Sequence, residues 1–358
     1  MRTIAVELGP ASHSALAGHG ILDRLGEYAR AAGIKPGRCA LVTDANVEKL
    51  YAGRAAASLK QAGFDPIVIS IAPGEASKSI AMLGLLYDRM TEAALDRSSA
   101  VFALGGGVVG DLAGFAAATY LRGIAVVQVP TTVVAQTDSA LGGKTGINHH
   151  HAKNLIGAFH QPKLIVADVE TLKTLPEREF REGLAEAIKY GAIMDKPMIA
   201  EMERTMDAIL ERYDAALEEI VARSLAHKAA VVSCDEREEG RRKILNFGHT
   251  VGHALEAGTG YGNLLHGEAV AIGMVAAARL SCACAGLPAA AAERLTHLIE
   301  RAGLPTAMPT GWRNPEFFRA LGLDKKRTGG TIEFVLIDRL GHALTKALTQ
   351  DEIAARIG

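Results

Sequence analysis

The chain has 358 residues and a formal net charge of −1, and hydrophobic residues make up 49% of it. This length exceeds what one small core organises and favours two domains of an ordinary globular protein. The near-neutral charge excludes the overall basic excess of a nucleic-acid-binding protein, so we expect no nucleic-acid partner.

The N-terminal residues 1–10 lack the apolar core of a secretory signal. Apolar runs near 101–134 and 270–292 are broken by charged residues, so we expect no run of membrane-spanning length and no membrane partner. The interrupting residues are Asp111, Arg122 and Arg279. The four cysteines show no CxxC spacing, which indicates a reducing, cytoplasmic location, and Cys282 and Cys284 are predicted to be buried thiols.

The first half of the chain alternates apolar runs rich in β-branched residues with helix-like stretches. Because continuous apolar strands suit a parallel sheet covered on both faces, this half predicts a parallel α/β domain. The predicted strands are residues 39–47, 66–74, 100–107, 124–132 and 164–172.

A glycine-rich loop follows the third of these strands and opens a predicted helix. Residues 105–110 fit G-x-G-x-x-G, which lets the backbone approach a diphosphate at a helix N-terminus. A dinucleotide fingerprint also needs an acidic residue about 20 positions later, where this chain has Gln128 and Val129. The loop therefore predicts a diphosphate site in which Asp44 could hold the ribose hydroxyls; the alternative is a ligand-free turn.

The segment LGGKTG, residues 141–146, resembles a Walker A loop but differs from it in one essential position. Asp138 stands where that pattern needs its first glycine. The segment is therefore not the signature of a nucleoside triphosphatase, and Lys144 requires another explanation.

The second half of the chain is mainly helical in pattern from about residue 177 to residue 321. Glycine and proline interrupt it at 286–288 and 303–309, and residues 331–345 predict a late hairpin. The pattern changes near TLPER from alternating strands and helices to mainly helices. This change predicts a domain boundary, which gives residues 1–175 and 176–358 as the two domains.

The most informative segment is RKILNFGHTVGH, residues 242–253. If it is one helix, its polar side chains lie on one face at i, i+4, i+7 and i+11. These are Arg242, Asn246, His249 and His253. His266 precedes an apolar helix-like run, and two histidines with one carboxylate form the open coordination pattern of a catalytic zinc site. The alternative is a set of histidines that face solvent or are hydrogen-bonded within the core.

A carboxylate for such a site occurs in EFREGLAEAIKYG, residues 179–191. In a helix, Glu186 and Lys189 share a face, and Glu182, one turn earlier, is a competing ligand candidate. The alternative is a surface Glu–Lys pair. The protease motif HExxH does not occur in the chain.

Segments along nearly the whole chain resemble those of the 3-dehydroquinate synthase family, and they occur in order. They are PGEASK (73–78), LGGGVVGD (104–111), YLRG (120–123), PTT (130–132), DSALGGKTGIN (138–148), KNLIGAFHQP (153–162), EGLAEAIKYG (182–191), DERE (235–238), LNFGHTVGHALE (245–256), HGEAVAIGM (266–274) and DKK (324–326). The segment HHHAK, residues 149–153, departs from the family's pattern, and we expect its three histidines to be solvated loop residues.

The resemblance implies an N-terminal Rossmann-like α/β domain and a mainly α-helical C-terminal domain. It further implies a homodimer, tightly held NAD⁺ and one catalytic divalent metal ion, Zn²⁺ or Co²⁺. The metal ligands it implies are Glu186, His249 and His266. The residues it implies for NAD⁺ are Asp44, Glu75, Lys78, Gly106, Gly107, Val108, Asp111, Thr131, Thr132, Lys144, Lys153, Thr171 and Thr174.

The same resemblance implies a pocket for a sugar-acid phosphate. Its residues would be Asp138, Lys144, Asn154, Lys189, Lys228, Arg242, Asn246, His253 and one lysine of DKK, taken as Lys326. Arg122 would reach the phosphonate-like end of the substrate across the dimer interface. Glu238 and His253 would carry the proton-transfer roles.

The implied substrate is 3-deoxy-D-arabino-heptulosonate 7-phosphate and the implied product is 3-dehydroquinate, an intermediate of the shikimate pathway. The reaction combines transient oxidation by NAD⁺, phosphate elimination, reduction, and aldol cyclisation. Other readings are a sugar-phosphate cyclase for a substrate without a carboxylate, an aminated dehydroquinate synthase, a metal-dependent polyol dehydrogenase, and a non-catalytic NAD- or zinc-binding regulator. Arg242 with Asn246, and the DKK lysines, favour the carboxylate-bearing substrate, and a polyol dehydrogenase would not need so many lysines.

Overall fold

The computed structural model describes residues 1–150, 152–260, 262–323 and 330–357, with only the backbone of Ala152 and Leu323. Its contacts divide the chain into two compact units. The first contains Met1–Leu175 and Leu217–Arg237, and the second contains Pro176–Ala216 and Glu238–Gly358.

The strands of the first unit form a seven-stranded sheet and a separate hairpin. They are β1 (Arg2–Val6), β2 (His13–Gly18), β3 (Arg38–Asp44), β4 (Asp65–Ile71), β5 (Ala100–Gly105), β6 (Ala125–Pro130), β7 (Lys144–His149), β8 (Ala152–Phe159) and β9 (Leu164–Asp168). The sheet order is β1-β2-β9-β6-β5-β3-β4. Only the β1–β2 pair is antiparallel among these neighbours, so the predicted parallel α/β sheet is confirmed.

Helices and further strands follow in both units. The helices are α1 (Leu25–Ala31), α2 (Ala45–Val47), α3 (Gly53–Gln61), α4 (Ile80–Glu92), α5 (Gly107–Thr119), α6 (Glu177–Met194), α7 (Lys196–Leu210), α8 (Asp214–Cys234), α9 (His249–Gly258), α10 (His266–Cys284), α11 (Ala289–Arg301), α12 (Pro315–Leu323) and α13 (Gln350–Ala354). Strands β10 (Thr331–Arg339) and β11 (His342–Thr349) form the predicted late hairpin, which is four residues longer than expected.

The parallel strands are apolar throughout because both faces of the sheet are covered. Successive residues of β3 point to opposite sides, so Leu41 joins one core cluster with Leu59 of α3, whereas Val42 joins the other with Leu112 of α5. Two-sided burial therefore explains the continuous apolar runs from which these strands were predicted.

Two strand pairs were not predicted. β1 and β2 pair antiparallel at the edge of the main sheet, and β7 and β8 pair antiparallel as the separate hairpin. Each pair alternates apolar with polar residues or carries glycine, so neither has the continuous apolar run that marks the buried parallel strands.

The predicted domains 1–175 and 176–358 remain a prediction, from which the observed units differ in one segment. Leu217–Arg237 belongs to the first unit although it follows residues of the second. Glu7 N donates a hydrogen bond of 3.0 Å to Ser233 Oγ of this segment. Lys228 Nζ lies 3.0 Å from Asp138 Oδ1. A single boundary in chain order cannot represent a helix that returns to an earlier unit.

Helix α10 corrects the expectation that no run has the length of a membrane span. Within its 19 residues, a window of 18 residues has a mean hydropathy of 1.4, and 72% of this window is buried inside the protein. This is the pattern of a core helix. The predicted burial of its thiols is also corrected, because Cys282 and Cys284 near its C-terminal end are only half-buried.

The predicted continuous helix over 242–253 is wrong. Arg241–Asn246 is a 3₁₀ segment, and α9 begins only at His249. Gly248 between them has φ of +82°, a left-handed conformation that ends one segment before the next begins. The close approach of α10 requires glycine here, since a Cβ on Gly248 would lie 2.7 Å from Met274 Cγ.

We expect Gly273→Ala to destabilise the second unit. A Cβ at this position would lie 2.0 Å from the Gly248 carbonyl oxygen, so α9 and α10 would have to separate. Overpacking of this kind costs about 1–3 kcal/mol of the free energy of unfolding. The matched control is Gly84→Ala in α4, where nothing lies within 4 Å of the added Cβ. That change should raise the stability by about 0.4–1 kcal/mol. Thermal unfolding measures both, and an unchanged midpoint for Gly273→Ala would contradict the packing argument.

Candidate functional site

A buried ion pair on α6 lies at the centre of the candidate metal site. Glu186 is 0% and Lys189 is 1% exposed, and Lys189 Nζ contacts Glu186 Oε2. The alternative of a surface Glu–Lys pair is therefore wrong. A buried carboxylate is tolerated only when charges or hydrogen-bond donors compensate it, so these two side chains constrain each other.

Two histidines approach the same carboxylate from separate helices. His249 Nε2 lies 3.5 Å and His266 Nε2 lies 3.6 Å from Glu186 Oε1. Among the described residues, these three side chains offer one ligand atom each within 4.8 Å of one another. His249 begins α9 and His266 begins α10, so each ring is fixed by a helix start. Two imidazole nitrogens and one carboxylate oxygen form a donor set suited to zinc or cobalt.

The two histidines have opposite pKa shifts in the absence of metal. Burial, followed by the charge of Lys189, lowers the pKa of His249 to about 3, so this ring is neutral at physiological pH. Burial also lowers the pKa of His266, but Glu186 and Glu256 outweigh that effect and raise it to about 10. The acidic surroundings of His266 thus favour positive charge at this position.

Glu182, the competing ligand candidate, has a different contact. Its Oε2 accepts a hydrogen bond of 2.6 Å from Gly267 N at the start of α10. Burial raises the pKa of Glu182 to about 7, although the Gly267 bond opposes the shift. A Cβ on Gly267 would lie 1.8 Å from the Glu182 carbonyl oxygen, so the two backbones touch. Glu182 therefore fixes the helix that carries His266.

The remaining predicted side chains of the second unit lie on the 3₁₀ segment and α9. Arg242 is only 2% exposed, and a charged side chain is rarely buried to this extent unless polar groups surround it. Asn246 Nδ2 donates a hydrogen bond of 2.8 Å to Glu238 Oε1. Glu238 has φ of +63°, a strained conformation for a non-glycine residue. The exposed His253 ring lies 5.4 Å from the His249 ring, centroid to centroid.

In the first unit, the structure brings several predicted residues into a linked polar cluster. Lys78 Nζ lies 2.7 Å from Asp111 Oδ2 and 3.7 Å from Glu75 Oε1, and it also donates to Asn154 Oδ1. Burial raises the pKa of Asp111, while Lys78 and, more weakly, Lys228 lower it. These four side chains and Lys228 therefore form one electrostatic unit.

Lys228 of α8 also contacts Asp138 within the first unit of the chain. Its Nζ donates a hydrogen bond of 2.8 Å to the Asp138 carbonyl oxygen and lies 3.0 Å from Asp138 Oδ1. Sequence analysis placed both in the substrate pocket, and the structure places them together. The long side chain of Lys228 is buried, so its charge is held in one position.

The glycine loop has the predicted strand-to-helix geometry. β5 ends at Gly105, Gly106 is the N-cap of α5, and the helix begins at Gly107. A Cβ on Gly110 would lie 2.8 Å from Gln128 Oε1, so this glycine permits close packing of α5 on the sheet. The first turn of α5 contains no acidic side chain, which leaves its N-terminus suited to an anion.

The other predicted cofactor residues differ in how their polar atoms are used. Asp44 Oδ1 accepts hydrogen bonds from Asn46 N and Val47 N and caps α2. Thr171 is buried and donates to the Asp168 carbonyl oxygen at 2.7 Å, and Thr174 Oγ1 lies 2.7 Å from Tyr51 Oη. These two hydroxyls therefore have partners within the fold.

The remaining predicted residues differ in their exposure. Thr131 is buried, Thr132 and Val108 are half-buried, and Lys144, Lys153 and Arg122 are exposed. Arg122 has φ of +69° in a short turn after α5. Lys326, with Lys325, lies outside the described residues, as does His151. The rings of His149 and His150 have centroids 3.8 Å apart and planes tilted by 43°.

Sequence reasoning missed two polar residues of these clusters. Asn148 Nδ2 donates to Glu75 Oε1 at 2.7 Å, and Asn148 Oδ1 accepts from Asn154 N at 2.8 Å. Glu256 Oε2 lies 3.6 Å from His266 Nδ1. Glu256 follows His249 by seven residues in HTVGHALE, so helical spacing could have identified it on the same face.

Comparisons with known proteins agree with this arrangement. Sequence models described as 3-dehydroquinate synthase N-terminal and C-terminal match residues 68–182 and 183–327. The 3-dehydroquinate synthase of Desulforamulus reducens is 48% identical over 342 residues, which covers 96% of this chain and 95% of the relative.

Solved structures extend the similarity to the fold. 2-Deoxy-scyllo-inosose synthase, complexed with carbaglucose-6-phosphate, NAD⁺ and Co²⁺, has a TM-score of 0.88 at 25% identity and covers 99% of both chains. 2-Epi-5-epi-valiolone synthase from Streptomyces hygroscopicus, with NAD⁺ and Zn²⁺ bound, has a TM-score of 0.87 at 28% identity and covers 99% of this chain and 98% of its own. The predicted fold class, a Rossmann-like α/β domain with a mainly helical C-terminal domain, is thereby confirmed. Together with the matching sequence models, these similarities show that the chain belongs to the 3-dehydroquinate synthase family.

Proposed function

We propose that this enzyme converts 3-deoxy-D-arabino-heptulosonate 7-phosphate to 3-dehydroquinate and phosphate, as a phosphorus–oxygen lyase of aromatic amino-acid biosynthesis. The observation that carries the proposal is the convergence of His249 and His266 on the buried Glu186 beside Lys189. The 48% identical relative named for this activity supports it along nearly the whole chain.

The donor set fits one divalent metal ion. Glu186, His249 and His266 would hold it, and three protein ligands would leave an open coordination position, as in catalytic zinc sites. Both solved relatives above carry Co²⁺ or Zn²⁺. Such an ion would supply Lewis acidity for the oxidation of a substrate hydroxyl.

The first unit fits NAD⁺. The N-terminus of α5 and its glycines would receive the diphosphate, and Asp44 would receive the ribose hydroxyls. The Lys78–Asp111 pair would line the same cofactor site. Bound there, NAD⁺ would supply reversible hydride transfer, which leaves no net oxidation of the substrate.

The chain's own side chains would bind the substrate and move its protons. Arg242 is suited to hold the carboxylate through two parallel hydrogen bonds. Lys228, fixed by Asp138, presents a cation of defined position. The hydrogen bond from Asn246 Nδ2 to Glu238 Oε1 orients the carboxyl group of Glu238, which would transfer protons to and from the substrate.

We further propose a cytoplasmic homodimer with a two-domain plan divided near residue 175. The backbone around Arg122 is our argument for the dimer. Arg122 is exposed, and it and its neighbours Leu121 and Gly123 all have positive φ angles. Such strain persists where function requires it, which agrees with presentation of Arg122 to the substrate of a second subunit.

A cyclase acting on a substrate without a carboxylate is the second candidate, because both solved relatives above belong to that group. Their identities of 25% and 28% are well below the 48% of the dehydroquinate synthase. Arg242 also favours a substrate with a carboxylate, since a guanidinium can hold a carboxylate through two parallel hydrogen bonds.

Metal removal tests the proposed metal centre. Treatment of the purified protein with a chelator should abolish phosphate release, and added Zn²⁺ or Co²⁺ should restore it, because the three proposed ligands leave an open coordination position for the substrate. Elemental analysis before and after treatment gives the metal content. Full activity in protein verified as metal-free would exclude this centre from the reaction.

Cofactor cycling tests the proposed lyase reaction against a polyol dehydrogenase. With one NAD⁺ per chain, many equivalents of phosphate should appear without a lasting rise in NADH absorbance, because the hydride returns to the substrate. Phosphate release and absorbance at the NADH band are measured together. One NADH accumulated for each product molecule would favour the dehydrogenase instead.

Arg242→Lys tests the proposed carboxylate contact. Lysine keeps the charge but loses the paired geometry, so we expect a loss of about 1.5–3 kcal/mol in transition-state stabilisation, roughly ten- to a hundredfold in kcat/KM. Metal content and NAD⁺ affinity should remain near wild type. The control is a substrate analogue without the carboxylate, for which the variant should lose much less. An equal loss with both substrates would show that Arg242 is structural.

A further inference from the structure

The two nitrogens of His266 face two different carboxylates. Nε2 lies 3.6 Å from Glu186 Oε1, and Nδ1 lies 3.6 Å from Glu256 Oε2. Glu256 is on α9 and only 8% exposed, so it is not a solvated surface group. The function proposed above uses Glu186 as a ligand but gives no role to Glu256.

His249 shows the same division of its ring. Its Nε2 faces Glu186 Oε1 at 3.5 Å, while its Nδ1 lies 3.2 Å from the carbonyl oxygen of Phe247. Each candidate ligand therefore turns Nε2 toward Glu186 and Nδ1 toward an oxygen acceptor. For His249 the acceptor is backbone, and for His266 it is the side chain of Glu256.

This arrangement has a direct chemical meaning. A neutral imidazole that gives Nε2 to a metal carries its proton on Nδ1, and an acceptor at Nδ1 fixes both the tautomer and the ring orientation. A carboxylate acceptor also increases the basicity of the ligating nitrogen. The start of α10 is already fixed through Gly267 N and Glu182, so the ring of His266 is the part that still needs orientation.

We propose that Glu256 is a positioning residue of the metal centre, which accepts the Nδ1–H of His266 and thereby directs Nε2 to the ion. The inference rests on the metal centre proposed above. Glu256 itself would not coordinate the ion or contact the substrate, so its removal should weaken metal binding without changing the set of ligands.

A second ion is the competing explanation, because His253, Glu256 and His266 also offer ligand atoms within 4.8 Å of one another. That site would need Nδ1 of His266 as a donor atom while Nε2 holds the first ion, so the ring would have to lose both protons. With a single ion, a neutral ring would give the lone pair of Nε2 to that ion and its one N–H, on Nδ1, to the nearby Glu256 carboxylate. His253, which the second site would also need, is exposed. The observations therefore favour a single ion with Glu256 as an acceptor.

The test uses Co²⁺ alone as the probe on full-length metal-free protein. We expect Glu256→Ala to lower Co²⁺ affinity ten- to a hundredfold, the usual effect of removing an acceptor behind a histidine ligand. Glu256→Gln keeps a carbonyl acceptor without the charge, so its loss should be smaller. The matched control is Glu203→Gln in α7, which removes a partly buried carboxylate held by Arg294 at 2.6 Å. Its Co²⁺ affinity should remain at the wild-type value.

The spectra of the cobalt protein separate a positioning role from a ligand role. The visible d–d bands should keep their intensity in both Glu256 variants, because the ligands are unchanged. The paramagnetically shifted Nδ1–H resonance of His266 should exchange with solvent faster than in the wild type. Unchanged affinity and exchange in Glu256→Ala, a changed coordination number, or binding of two Co²⁺ per wild-type chain would each overturn the inference.

Glu186→Gln distinguishes failure of this inference from failure of the proposed metal centre. If Glu186→Gln loses Co²⁺ while Glu256→Ala binds it as the wild type does, only the role of Glu256 is wrong. If Glu186→Gln binds Co²⁺ normally, the centre itself is misplaced and the inference fails with it. Circular dichroism of each variant verifies that the fold is retained.

Discussion

The buried carboxylate of Glu186 is the constraint on which the polar arrangement of the second unit depends. A carboxylate without exposed surface needs positive charge or donors around it. Lys189 supplies charge from the same helix, and His249 and His266 bring ring nitrogens from two others. Three helices therefore meet at one side chain, and a divalent ion would complete the compensation that this carboxylate requires.

Tight helix packing makes that meeting possible. Gly273 of α10 approaches the carbonyl of Gly248, and Gly267 approaches the carbonyl of Glu182. Any side chain at these glycines would push α10 away from its neighbours. The small apolar residues that give α10 the composition of a membrane span thus have another cause, because they let the helix sit close enough to aim His266 at Glu186.

The sequence contains much of the fold and the chemistry, because both depend on local patterns. The parallel strands follow from continuous apolar runs, and Glu186 and Lys189 share a face through helical spacing alone. The break at Gly248 was not predictable in this way. Gly248 has φ of +82° and packs closely against α10, which lies later in the chain, so the break depends on a contact that is not local. The burial of Glu186 and Lys189, which distinguishes a functional site from a surface ion pair, was likewise not predictable from the sequence, since it depends on the residues that pack around α6.

The return of Leu217–Arg237 to the first unit affects how this chain folds during synthesis and how it can be cut into fragments. The chain passes from one unit to the other three times, after Leu175, Ala216 and Arg237. A fragment ending at residue 175 would lack the helix that contacts Glu7 through Ser233 and Asp138 through Lys228. During synthesis the first unit must therefore wait for residue 237 before its last helix can dock, while residues 176–216 have already emerged. The two units share one folding history, and limited proteolysis at a single site cannot release either of them intact.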